Sequence, residues 1–273
     1  MPNLEYLHMD FNQAQELLPN YQMQCLEELS LMSVQSVDLL YQFPYMMPNL
    51  QKLKLTTSYY RRLESRVNFA QQQRLGALLE LKALVLLNVK MKDLAGVLVQ
   101  RKLEVLILEE CSELNNLGPP SVSLPHLTYL ELNSCSRLRN LMASSTAKSM
   151  VQLKTMKVIN CREVKEIVSN ENEEGKVMKI VFNKLISMEL VRLNNLTSFC
   201  SHEECEFVFP SLKILIVREC FNMGKFNEKG SITPKLKNVF GVEGDEKAKW
   251  QWKGDLNATI QKFSMIRYLL FIY

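Results

Sequence analysis

The stretch between residues 101 and 136 contains one pattern twice, as Leu103-x-x-Leu106-x-Leu108-x-x-Cys111 and Leu127-x-x-Leu130-x-Leu132-x-x-Cys135. Alternate side chains of a strand point to the same face, so Leu106 and Leu108 lie together on one side of a short strand, with Leu103 beside them. A single unit of this kind cannot bury its own apolar face. The pattern therefore predicts a chain of units that stack on one another.

Ten units along the chain fit this pattern, and their spacing runs from 22 to 32 residues. Their first leucines are Leu4, Leu26, Leu50, Leu81, Leu103, Leu127, Leu153, Leu185, Leu212 and Leu236. L-x-x-L-x-L at a period of about 20–29 residues is the signature of a leucine-rich repeat, and extra residues map to loops. The sequence thus predicts an α/β leucine-rich-repeat solenoid, or horseshoe. We expect a parallel β-sheet on its concave side and irregular loops or short helices outside.

The pattern divides the chain into a solenoid of about ten units over residues 1–248 and a C-terminal cap and tail over residues 249–273. Asp255 is suited to cap a short helix that we expect to end near Arg267. At the other end the chain begins inside a repeat, so we expect Leu4 to lack a cap. Two units are longer than the others. We expect a helix over 63–79 in the first and a solvated polar loop over 170–176 in the second.

Composition excludes several classes of function. The chain has 273 residues, 47% of them apolar, and 33 basic residues nearly balance 29 acidic ones. A net charge of +4 does not favour nucleic acid or an anionic membrane as a partner. The first residues do not resemble a signal peptide, and no apolar run is long enough to span a membrane. We therefore expect a cytoplasmic protein, and expect Asn195 and Asn257 not to be glycosylated although each begins an acceptor triplet.

Cysteine and histidine offer little chemistry. Four of the seven cysteines (Cys111, Cys135, Cys161 and Cys220) share one repeat position. Parallel side chains on stacked strands do not converge as a disulfide requires, so we expect reduced thiols in the core. The cluster Cys200-Ser-His202-Glu-Glu-Cys205 offers three zinc ligands where four are needed. Neither G-x-S-x-G nor H-E-x-x-H occurs, and we expect no metal, no cofactor and no catalytic residue.

The outward positions of the repeat strands suggest a binding surface, because folding requires no particular residue there. Over three consecutive units these positions are apolar, and charges flank them. An apolar centre with a polar rim is typical of a protein interface, although β-branched residues also simply favour strands. The hypothesis is a partner-binding face made by Ala83, Val85, Val105, Ile107, Tyr129, Glu131 and Lys157.

Four segments occur in an order that resembles one protein family: Asn195–Cys200, Phe209–Cys220, Thr233–Val239 and Trp252–Ile260. Together they look like the C-terminal repeats of plant intracellular disease-resistance proteins of the coiled-coil, nucleotide-binding, leucine-rich-repeat type. The resemblance extends over essentially the whole chain and is best over 101–262. It implies a module of an innate-immune receptor that senses an effector directly or indirectly and contacts a nucleotide-binding domain.

The chain departs from that family in one informative way. It contains no G-x-x-x-x-G-K-[ST], so nucleotide binding is not carried over, and neither is the coiled coil. The chain resembles a C-terminal fragment or a truncated relative. Its expected partner is a protein: a pathogen effector, a host protein that the receptor guards, or the receptor's own nucleotide-binding domain. The alternative is a substrate adaptor of a ubiquitin ligase, which would carry an F-box-like helical segment before the first repeat.

Overall fold

The computed structural model describes residues 3–34, 43–57, 80–94, 102–169, 178–240, 249–252 and 254–261. The strands in these ranges are β1 (Tyr6–Asp10), β2 (Glu28–Met32), β3 (Lys52–Thr56), β4 (Ala83–Leu87), β5 (Val105–Glu109), β6 (Tyr129–Asn133), β7 (Asn140–Ala143), β8 (Thr155–Ile159), β9 (Glu166–Ser169), β10 (Met178–Val181), β11 (Ser187–Val191), β12 (Cys205–Val208), β13 (Ile214–Arg218), β14 (Ser231–Ile232), β15 (Asn238–Phe240) and β16 (Lys249–Gln251). Helices are short: α1 (Phe11–Leu17), α2 (Phe43–Met46), α3 (Ser144–Ser149) and a 3-10 helix over Leu18–Asn20.

One sheet of eleven strands dominates the fold, in the order β1-β2-β3-β4-β5-β6-β8-β11-β13-β15-β16. The first ten strands are parallel, and each begins two residues after one of the ten first leucines. The last strand pairs antiparallel to β15. The predicted solenoid with a parallel sheet is confirmed. The division into 1–248 and 249–273 stays a prediction.

The core lies against the face of this sheet opposite the concave side, as the leucine spacing requires. In β6 the side chains of Leu130 and Leu132 are fully buried, whereas Tyr129 and Glu131 on the opposite face are only half-buried. After seven of the strands one residue adopts φ between 55° and 58°, a left-handed conformation in which the chain leaves the sheet. These residues are Ser33, Asn88, Glu110, Ser134, Asn160, Arg192 and Glu219.

The repeat-position cysteines form a column inside this core. All seven cysteines are free thiols, and Cys111, Cys135 and Cys161 are completely buried while Cys220 is partly exposed. Hydrogen bonding to Cys135, together with burial, raises the pKa of the Cys111 thiol well above its usual range. The prediction of core thiols is confirmed for the three buried cysteines, and hydrogen bonds from Cys111 and Cys161 lower the pKa of the Cys135 thiol between them.

The outer sides of the turns carry two smaller parallel sheets. One pairs β7 with β9, and the other has the order β10-β12-β14. Five buried phenylalanines fill the space behind them with stacked and edge-to-face contacts: Phe182, Phe199, Phe207, Phe209 and Phe226. Aromatic pairs in these geometries add stability beyond the area that they bury.

The two ends of the described sheet differ. The core positions Leu7 and Met9 of β1 are only partly buried. At the other end, a C-terminal helix over 256–261 buries Leu256 and Ile260 against the solenoid. The Asp255 carboxylate accepts a hydrogen bond from the Ala258 N–H at 2.7 Å, which confirms the predicted N-cap. The predicted end of this helix near Arg267 lies outside the described residues, as do the helix predicted over 63–79 and the loop over 170–176.

Candidate protein-binding face

The structure brings the seven predicted partner-binding residues together on four neighbouring strands. Ala83, Val105 and Tyr129 lie side by side on β4, β5 and β6. A second row runs from Val85 through Ile107 and Glu131 to Lys157 on β8. All seven side chains are half-buried, because they point away from the core but lie against neighbours in the sheet. The sequence thus placed them correctly on one face, while their role in binding stays a hypothesis.

The apolar part of this face is larger than the sequence pattern indicated. Leu87 ends β4, is half-buried and points to the same side as Ala83 and Val85. A five-residue strand has three outward positions, of which the L-x-x-L-x-L template defines only the first two. We define the concave patch as Ala83, Val85, Leu87, Val105, Ile107 and Tyr129.

Tyr129 marks the edge of the concave patch and is held in place by a charged neighbour. Its hydroxyl donates a hydrogen bond to the Glu131 carboxylate, two residues along the same strand. Burial, this hydrogen bond and the negative charges of Glu131 and Glu189 raise the pKa of Tyr129 to about 12. The ring is therefore neutral at physiological pH and fixed in orientation, which reduces the entropy that a partner must remove.

Two of the charges that flank the concave patch each pair with a carboxylate on a neighbouring strand. The Lys157 ammonium lies 3.2 Å from the Glu189 carboxylate of β11, and both side chains are about one quarter exposed. On the other side, Lys52 lies 3.0 Å from Glu28. Exposed pairs of this kind contribute little to stability. These pairs give the concave patch a polar border, which also includes Lys54, directly beside Val85 in the sheet.

The cluster Cys200-Ser-His202-Glu-Glu-Cys205, where the sequence predicts no zinc site, lies within the described residues. The thiols of Cys200 and Cys205 hydrogen bond to each other, and the His202 Nδ1 accepts the Glu204 N–H at 3.2 Å. Within the described ranges, no group of three or more His, Cys, Asp or Glu side chains could hold a metal ion. In the same part of the chain no helix is long and apolar enough to cross a membrane.

One polar residue that sequence reasoning missed is Asn257 in the C-terminal helix. Its Oδ1 accepts the N–H groups of Phe226 and Asn227 at 2.7 and 3.2 Å, and its Nδ2 donates to the Asn227 carbonyl. This amide closes the end of the preceding turn. In the sequence, Asn257-Ala-Thr259 has the form of a glycosylation acceptor, and this pattern gives no indication of the structural role of Asn257.

Comparison with known families agrees with this architecture. Residues 121–226 match a family described as plant disease resistance protein RPS2-like, leucine-rich repeats. The fold is a leucine-rich-repeat solenoid. Of the concave patch, the matched segment contains Tyr129, and the other five residues lie before it. No curated protein matches the chain. The resemblance stated from the sequence is thereby confirmed over 121–226, and repeats of this family mediate protein interactions.

Proposed function

We propose that the chain is the recognition module of a plant disease-resistance receptor that acts in the cytoplasm. It binds a protein partner through the concave patch and carries out no chemistry of its own. The partner is a pathogen effector, a host protein that the receptor guards, or the nucleotide-binding domain of the receptor. The family match over 121–226 supports the receptor, and the contiguous apolar surface on β4, β5 and β6 supports the mode of binding.

The concave patch supports binding because the fold does not need it. Its side chains lie on the face opposite Leu84, Leu106 and Leu130, each of which is at most 2% exposed. Polar residues at these outward positions would preserve the parallel sheet, as Glu131 and Lys157 do on the next strands. An apolar patch with charged and polar residues at its border is characteristic of a surface that loses water when a partner binds.

Within the concave patch we expect Ile107 and Tyr129 to contribute most of the binding energy. Ile107 lies on β5, between two neighbouring strands of the patch, where a partner would remove water most completely. Tyr129 offers a large surface that Glu131 has already oriented. The charged pair Lys157–Glu189 lies at the border, and we expect it to affect the salt dependence of association more than affinity.

The test is the double substitution Ile107→Asp, Tyr129→Ala in the full chain. Both side chains point away from the core, so we expect an unchanged circular dichroism spectrum and a loss of partner capture from plant leaf extract of about tenfold or more. Ile214→Asp is the matched control, because Ile214 is 42% exposed on the same face but lies on β13. If the folded double variant captures its partner as well as the wild type, the concave patch is not the binding surface.

A further inference from the structure

A second concave feature lies where the strands end, at the rim of the sheet. Across four successive turns, the side chains immediately before and after Cys135, Cys161, Leu193 and Cys220 line one groove. We call it the rim groove. Its volume is about 640 Å³, within the range of sites that bind small molecules or peptide side chains. It follows β6, β8, β11 and β13, whereas the concave patch lies on β4, β5 and β6.

Two arginines give the rim groove a positive character. The Arg192 Nε donates to the Glu219 carboxylate at 2.9 Å, so these two charges balance. Arg162 also lines the groove and is exposed, and neither an ion pair nor a side-chain hydrogen bond joins it to another residue of the described ranges. Glu219 is the one carboxylate among the lining residues. Among the lining residues, the Arg162 guanidinium is therefore not matched by a carboxylate.

Neighbouring polar groups hold part of the rim groove rigid. The Asn133 side-chain oxygen accepts hydrogen bonds from the Ser134 hydroxyl at 3.0 Å and from the Asn160 amide at 3.3 Å. The backbone continues the same ladder, since the Ser134 and Asn160 N–H groups donate to the next turn at 2.9 Å. The floor beside Arg162 is therefore fixed before any ligand arrives, which lowers the entropic cost of binding.

We propose that the rim groove binds an acidic segment of a protein partner, with an anionic side chain at Arg162. Guanidinium groups bind carboxylate and phosphate through paired hydrogen bonds, so an Asp, a Glu or a phosphorylated residue shares the required chemistry. This proposal rests on the proposed function, since it assumes that the solenoid recognises proteins. It adds a second site with a charge requirement that the concave patch does not have.

The spacing of the turns defines the segment more closely. Neighbouring strands lie about 4.8 Å apart, and Phe221 lines the groove two turns beyond Arg162, so the two are separated by about 10 Å. A peptide in the polyproline II conformation advances about 3.1 Å per residue and presents the same side every third residue, whereas a β-strand would turn side chains three positions apart to opposite sides. The segment should therefore carry an acidic residue and, about three positions away, an apolar residue that packs against the half-buried Phe221 ring.

The test is selection of displayed random octapeptides on the full chain, on the Arg162→Glu variant and on the Ile107→Asp variant. We expect a class of peptides with an acidic residue and an apolar residue about three positions apart. This class should bind the wild type and the Ile107→Asp chain but not the Arg162→Glu chain. The outcome is independent of the test of the concave patch, because the two substitutions lie on different surfaces.

A synthetic peptide from this class then tests the groove by fluorescence anisotropy. Arg162→Glu should weaken its binding at least tenfold, and phosphoserine in place of the acidic residue shows which anion the groove prefers. Arg137→Glu is the matched control, since Arg137 is also exposed, follows Cys135 by two residues and does not line the groove. It should change affinity less than threefold. Equal losses in the two variants, or no acidic class of peptides, would overturn the proposal.

Discussion

Leu130 and Glu131 are consecutive residues of β6 whose contributions to stability should differ strongly. Leu130 is fully buried, and Leu130→Ala should lower the free energy of unfolding by about 2–5 kcal/mol because it leaves a cavity. Glu131 is half-buried on the concave side, and Glu131→Ala should cost under about 1 kcal/mol through loss of the Tyr129 hydrogen bond. Urea denaturation of the two variants measures the difference. Similar losses would contradict the side assigned to each residue.

For individual residues, the sequence could predict which side chains are buried but not every contact that they make. Leucine spacing fixes which side of β6 faces the core, because alternation allows one register only. It does not predict that the Tyr129 hydroxyl bonds to Glu131 or that Lys157 pairs with Glu189 on β11. Those contacts depend on the rotamers of long side chains and on which turn lies next in space. Leu87 was missed because the L-x-x-L-x-L template ends before the third outward position.

Among the structural elements, the C-terminal helix is joined to the solenoid by the Asn257 amide as well as by the buried side chains of Leu256 and Ile260. Asn257→Ala should leave the Phe226 and Asn227 N–H groups without their acceptor and should cost about 1–3 kcal/mol, because both groups are shielded from water. Asn222→Ala is the matched control. Asn222 is exposed and its amide donates only to the Asn194 carbonyl, so the loss should be under about 1 kcal/mol.

The same denaturation experiment distinguishes the two variants. A cost for Asn257→Ala no larger than that for Asn222→Ala would show that the C-terminal helix contributes little to the solenoid. The sequence predicted this helix from Asp255, whose cap depends on neighbours within one turn. It could not predict the role of Asn257, because the groups that Asn257 binds lie 30 and 31 residues earlier in the chain.

At the scale of the whole molecule, the sequence predicts the structural elements that occur in every repeat but not those that occur in only some of them. The ten parallel strands follow from one template, since each unit must bury the same leucines. The sheets β7-β9 and β10-β12-β14 lie in segments of unequal length that have no common pattern. The rim groove was missed for a related reason. Its lining residues are two positions in each of four units, seven of the eight polar, and they form a groove only when the turns are stacked.

The two ends of the large sheet should differ in stability. In the described residues β1 pairs only with β2, and its core side chains Leu7 and Met9 are partly exposed. In contrast, β15 lies between β13 and β16, and the C-terminal helix, with Leu256 and Ile260 buried, hydrogen bonds to Phe226 and Asn227 in the preceding turn. Solenoid stability is approximately a sum over units and their interfaces, so amides of β1 should exchange hydrogen at least about tenfold faster than those of β15.

Hydrogen exchange measured by mass spectrometry on the full chain tests this difference, and Leu256→Ala identifies its cause. That substitution removes a completely buried side chain from the C-terminal helix and should increase exchange in β15 and β16 while leaving β1 unchanged. This local response is expected because each unit contacts only its neighbours. Equal protection of β1 and β15 in the wild type would contradict the predicted difference between the ends. Faster exchange throughout the sheet in Leu256→Ala would show that the solenoid unfolds as one cooperative unit.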